Sequence, residues 1–128
     1  MDVIEILKTF LNHWITGEWE DAFKGCQKTW ADKKSCDDLQ SLLPNDLQSF
    51  DIISFTNLGN VRYEIKVKLT FASGNSSIRV ANMICETGPY QPAPYGQWGV
   101  NPVSILRSLE EKAPDTPAKN KRNGSKKK

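Results

Sequence analysis

One histidine, three cysteines and no apolar run approaching twenty residues are what this 128-residue chain has least of, and each shortage closes a class of function. A bilayer-spanning helix needs about 20 consecutive apolar residues. The apolar N-terminal stretch is interrupted by Glu5, Lys8 and His13 and has no positively charged leader ahead of it, which points to a cytoplasmic address and away from membranes. Cys26, Cys36 and Cys85 are odd in number and their spacings fit no zinc motif, so they read as free thiols. His13 with scattered acids does not supply a clustered ligand set, and no metal or cofactor is expected.

What is present is enough apolar sequence, 38% of residues, to bury one core, and too little chain for two ordinary domains. Net charge is +2, and its distribution is lopsided. Between positions 113 and 128, six cations face Asp115, so that stretch carries +5 and the rest of the chain −3. A folded domain over 1–112 with a disordered basic tail over 113–128 follows. As a nonspecific nucleic-acid contact the tail would act by charge alone, through Lys119, Lys121, Arg122, Lys126, Lys127 and Lys128. It has no aromatic residue to stack on a base, and a solubilising end is the plainer reading.

Val3, Ile4, Leu7, Phe10, Leu11, Trp14 and Ile15 recur at spacings of three and four, predicting an amphipathic helix from Asp2 to Thr16 that Gly17 ends. Trp19, Ala22, Phe23, Cys26 and Trp30 share a second helical face. Asp37 or Asp38 is positioned to cap a short third helix bearing Leu39, Leu42 and Leu43, which Pro44 stops. From Leu47 the period becomes two. Strands are expected over 50–58, 61–71 and 77–86, with turns at 57–60 and 72–76, forming an antiparallel meander. In the third strand the set Ile78, Val80, Asn82, Ile84 and Glu86 is the better core face, against Ser77, Arg79, Ala81, Met83 and Cys85. The segment 88–96 carries Pro89, Pro92 and Pro94 and is excluded from a central strand. After a brief edge strand over 97–101, Asn101 and Pro102 open a closing helix with Ile105, Leu106 and Leu109 inward.

Helices followed by a sheet with one apolar face make an α+β arrangement. This order, with the segment Trp98-Gly-Val-Asn-Pro-Val-Ser-Ile-Leu106 after a proline-rich loop, resembles the NTF2-like (cystatin-like) superfamily and its small bacterial and phage members. The resemblance implies a strongly bent antiparallel sheet wrapped round N-terminal helices as a cone, and a homodimer through the outer sheet face with Arg62, Glu64, Lys66 and Lys68. It chooses no function, because relatives include isomerases, dehydratases, transport factors and immunity proteins.

A pocket enzyme of that kind needs a carboxylate or histidine with an oxyanion partner. Tyr63, Asn82 and Glu86 are the candidate acid–base set, opposed by a reading in which Tyr63 and Asn82 hydrogen-bond inside the core and Glu86 sits at a solvated mouth. His13, at the border of the first helix's apolar stripe, is a further catalytic candidate, though a surface or boundary histidine is the plainer reading. Trp14, Trp30, Tyr63 and Trp98 are expected to line a concave cavity fit for a small apolar ligand or a partner's side chain, with Asn82 beside them. Tyr90, Tyr95 and Trp98 on the proline-stiffened loop suit interface anchors, or Trp98 folds back to plug the open end of the sheet. A non-catalytic binding protein accounts for the weak acid–base set; a ketosteroid-isomerase-like or dehydratase-like enzyme and a tail-mediated nucleic-acid binder are the alternatives.

Overall fold

Asp2 opens the first helix, α1 (Val3–Thr16), its carboxylate accepting a hydrogen bond from the Ile4 N–H at 3.3 Å, and Gly17 closes it in the left-handed conformation at φ 76°. The computed structural model describes residues 2–107. The basic tail with Lys119 to Lys128, and Leu109, lie outside the described residues. Along α1 the predicted stripe is buried at Val3, Leu7, Phe10, Leu11 and Trp14.

The second helical face resolves into two short helices, α2 (Trp19–Lys24) and α3 (Lys28–Ala31), where the spacing predicts one. The break is a tertiary pairing. Gly25 C=O accepts from Val100 N–H at 2.9 Å and Gln27 N–H donates to Val100 C=O at 2.7 Å, so 25–27 lies as a parallel bridge beside the last strand. Gly99 permits the approach, because a Cβ there would lie 2.7 Å from the Cys26 carbonyl oxygen. α4 (Cys36–Leu42) is capped by Ser35, one turn earlier than Asp38; Asp38 instead completes the capping box by accepting from Ser35 N–H at 2.8 Å.

Four helical segments therefore precede an open five-stranded antiparallel sheet: β1 (Leu47–Asn57), β2 (Arg62–Phe71), β3 (Ser76–Gly88), β4 (Gln91–Pro92) and β5 (Gln97–Asn101). β1, β2, β3 and β4 follow in order and β5 pairs with β3. A short helix, α5 (Pro102–Arg107), closes the described chain, with Asn101 Oδ1 accepting from Val103 N–H at 3.0 Å. The α+β class predicted from the pattern holds at this level. No described helix is long and apolar enough to cross a membrane.

The phase of β3 is the reverse of the expected one. Tyr63 lies opposite Met83, Ile65 opposite Ala81 and Val67 opposite Arg79, so the β2 core face continues through Arg79, Ala81, Met83 and Cys85, all buried. Ile78, Val80, Asn82 and Ile84 are half-buried on the other face, beside Lys68, Lys66, Glu64 and Arg62. The β-branched residues made the outer set look like the core, but register against β2 decides the face. The cost of turning Arg79 inward is offset by hydrogen bonds: its Nη1 donates to Ile105 C=O at 3.0 Å and its Nε to Ser77 Oγ at 2.9 Å.

The core joins α1 to the sheet through Leu7, Phe10, Leu11, Ile65, Val67, Leu69, Met83, Val100 and Ile105, each 0–1% exposed. The proline-rich segment supplies the two-residue β4 and is pinned by Ala93 N–H donating to Cys85 C=O at 3.1 Å.

Candidate functional site

Two surfaces emerge from this framework, on opposite faces of the sheet. On the inner face the apolar alternation continues past the last covered residues. Phe55 lies opposite Ile65 in β1 and β2, and Tyr63 is two positions before Ile65, so both rings stand on one side. They stack, with centroids 6.1 Å apart and planes at 24°; Tyr63 then meets the edge of Trp98 at 5.6 Å and 87°. Trp98 belongs to β5, opposite Cys85, and is half-buried; it is neither a free loop anchor nor an isolated plug. Phe55 is 55% exposed, which leaves one end of this aromatic row open to solvent.

Glu86 has the opposite parity to Tyr63, Met83 and Cys85, and its carboxylate turns to the other face. It is 2% exposed and not at a solvated mouth. Thr29 N–H donates to Oε1 at 3.0 Å, the Thr29 hydroxyl makes a short hydrogen bond to Oε2, and Gln27 Nε2 donates to Oε2 at 3.3 Å. Gln27 itself provides no side-chain cap for α3, so this carboxylate from a distant strand takes that role. Thr29 Oγ1 in turn accepts from Tyr90 N–H at 2.8 Å. Gly96 fits the same corner because a Cβ there would lie 2.4 Å from the Glu86 backbone. Glu86 therefore fastens α3 and the proline-rich loop to β3.

The acid–base set predicted from the sequence is thus not assembled. Tyr63 is on the inner face with two aromatic neighbours, while Asn82 and Glu86 have the opposite parity. Asn82 offers its backbone N–H to Ser104 Oγ at 2.9 Å, and its Oδ1 is buried with no hydrogen-bond partner among the described residues. Nor does the four-aromatic cavity form. Trp14 is 2% exposed, set edge-on to Phe10 at 6.5 Å, and its Nε1 donates to Pro44 C=O at 2.6 Å. Trp30 leans on Phe23 at 6.1 Å. Of the four, only Tyr63 and Trp98 are in ring contact. Tyr90 and Tyr95 are exposed, as expected for the loop.

His13 hydrogen-bonds through Nδ1 to Glu18 Oε1 at 2.8 Å across the corner that Gly17 makes. That bond and a second from the Thr16 hydroxyl at 2.8 Å hold the Glu18 carboxyl below its ordinary value. Asp21 adds a third donor, and the ligand atoms of His13, Glu18 and Asp21 lie within 4.8 Å of one another. The sequence reading missed this grouping because the three residues span two helices whose crossing only the fold sets. Lys24 Nζ, 3.9 Å from Asp21 Oδ1, already competes for that carboxylate.

Neither Cys26 in the core nor the half-buried Cys36 is set up as a nucleophile. Burial pushes Cys26 from 9.0 up to about 12, and its Sγ sits 3.7 Å from Ala22 C=O. Cys36 is also raised, by desolvation and then by Glu20 and Asp37. Set against protein-family models, curated proteins and solved structures, the chain matches none of them.

Proposed function

We propose that this domain works by binding, recognising a protein partner through the open aromatic row of the inner sheet face. The observation that carries the reading is the Phe55–Tyr63–Trp98 row: rigid rings in mutual contact, half-covered by the fold and ending in an exposed phenylalanine. Aromatic side chains held in place by neighbours contribute large contact area at small entropic cost. Ile53, displaced outward at a bulge in β1, and Leu58 in the following turn add exposed apolar area at the same end of the strand. A small apolar ligand docking on the same rings is the lesser form of the proposal.

The acid–base separation described above supports binding over a ketosteroid-isomerase-like reaction. Within the same proposal, the α+β order and the proline-rich loop support an NTF2-like cone acting in the cytoplasm. The outer sheet face, with Lys66 and Lys68 beside half-buried Ile78 and Val80, is the surface that a homodimer of that type would use.

The test is comparative capture with the full chain immobilised as wild type and as Phe55→Ser. Proteins held by the wild type and lost from a variant that melts normally support the reading. An unchanged set overturns it.

A further inference from the structure

A different stretch of surface, on the face to which Glu86 turns, joins a cavity to exposed cations and a strained backbone. Trp30, Lys33 and Lys34 from α3 and its exit, Tyr90 from the proline-rich loop, and Gln27 and Asn101 line an open groove of about 440 Å³. That is the size of a small-ligand site. Lys33 and Lys34 are exposed and make no ion pair among the described residues.

Tyr90 is the one described non-glycine residue with positive φ, at 61°. A tyrosine adopts this conformation only where the surroundings impose it. Here Thr29 Oγ1 holds its N–H, and buried Glu86 holds Thr29. The network thereby fixes the backbone of an exposed aromatic residue in a groove that Trp30 also lines. Polar capacity remains as well. Gln27 has spent an amide hydrogen on Glu86, and Asn101 has spent Oδ1 on Val103; Gln27 Oε1 and Asn101 Nδ2 have no partner among the described residues. Neither Glu86, whose oxygens already accept from Thr29 and Gln27, nor exposed Asp32 beside Lys33 is among the residues that line the groove.

Flat rings, two exposed ammonium groups without an ion pair among the described residues, and amides with capacity left at one groove match a ligand that is planar, anionic and edged with hydrogen-bonding groups. We propose that this groove binds a nucleoside phosphate, with the base against Trp30 or Tyr90, its edge met by Gln27 and Asn101, and the phosphate neutralised by Lys33 and Lys34. The same chemistry is offered by a free mononucleotide and by one nucleotide of a single strand. The site is separate from the aromatic row and stands whether or not the row binds a protein.

The experiment titrates the full chain with adenosine monophosphate and, separately, with an eight-residue oligoadenylate, following tryptophan fluorescence at two salt concentrations. Three variants accompany the wild type: the double variant Lys33→Ala/Lys34→Ala, Tyr90→Gly, and Lys126→Ala/Lys127→Ala/Lys128→Ala. Glycine takes a φ of 61° without strain, so Tyr90→Gly deletes the ring and keeps the loop, which a thermal melt verifies. If both probes bind and the groove variants each weaken binding by about tenfold, the site takes a free nucleotide. If only the oligonucleotide binds, with the same losses and a salt slope reduced by about 1.4 in the lysine variant, the site takes a single strand. Failure of both probes to bind at millimolar concentration overturns the proposal. So does binding that the groove variants leave intact, or that only the tail variant removes.

Discussion

Along β2, Leu69, Val67 and Ile65 are fully buried, while Tyr63, next on the same face, is half-exposed and its β1 neighbour Phe55 is 55% exposed. The alternation that builds the two regions is the same. What differs is cover. α1 has 14 residues and at 1.5 Å each is about 21 Å long; the ten residues of β2 at about 3.3 Å each reach about 33 Å. A helix of this length leaves part of a strand of that length without a lid. Along β2 itself the covered positions Leu69, Val67 and Ile65 are aliphatic and the open one, Tyr63, is aromatic, in ring contact with Phe55 and Trp98.

Substitution at the two ends separates them most sharply. Leu7→Ala, in the covered half, is expected to cost about 2–5 kcal/mol in a denaturant melt, because Leu7 is 0% exposed and truncating it removes buried apolar contact and leaves a cavity. A loss below about 1 kcal/mol would mean that the core there is loosely packed and that the contrast is one of residue type alone.

Glu86→Ala tests whether the opposite face is held by one buried carboxylate. Removing it strands Thr29 N–H and the Gln27 amide, for an expected loss of about 1–3 kcal/mol. Hydrogen exchange at Tyr90 and Ala93 should accelerate with it, since Thr29 would no longer be placed to hold the loop. Unchanged protection at Tyr90 would show that the loop is fixed by β4 pairing instead.

Cys26 sharpens the comparison through pH. Its thiol is raised in the fold from 9.0 to about 12, so the neutral form is the favoured one. Stability is fully present below pH 9 and falls as pH rises from there toward 12, because the unfolded thiol ionises first, with a limiting slope of about 1.4 kcal/mol per unit. Melts at pH 8 and 10 on wild type and Cys26→Ser read it; equal pH dependence in the two would remove Cys26 from the covered region. The smallest effect is expected at the open end. Phe55→Ala should cost under about 1 kcal/mol, and a loss as large as that of Leu7→Ala would erase the distinction between the halves.

Part of this architecture was legible because it depends on local pattern. The α1 stripe and its Gly17 stop, the β2 alternation and the Asn101-Pro102 helix start are each written within a few residues, and each appears as read. The errors arose where a distant partner overrode local preference. Cys26 and Trp30 continue the spacing of a helix, but Val100 takes the backbone of Gly25 and Gln27 into a bridge. Ile78, Val80 and Ile84 outrank Arg79, Ala81 and Met83 in hydrophobicity, yet the pairing of Ile65 with Ala81 sends them outward.

The candidate sites divide in the same way. Tyr63, Trp98, Tyr90 and Glu86 were readable as candidates from residue type and position, since aromatics and a carboxylate at the end of a strand stand out in so small a chain. Which of them meet was not, because one reversed strand moves Glu86 away from Tyr63 and toward Thr29. Phe55, Lys33 and Lys34 gave no signal at all before the fold placed them beside a ring or a groove. Sequence by itself determined the α+β class, the first helix and the alternation of β2, because hydrophobic period acts over neighbouring residues. Tertiary structure alone decided which face of β3 is the core and what each site contains, because register is set by hydrogen bonds between residues far apart in the chain.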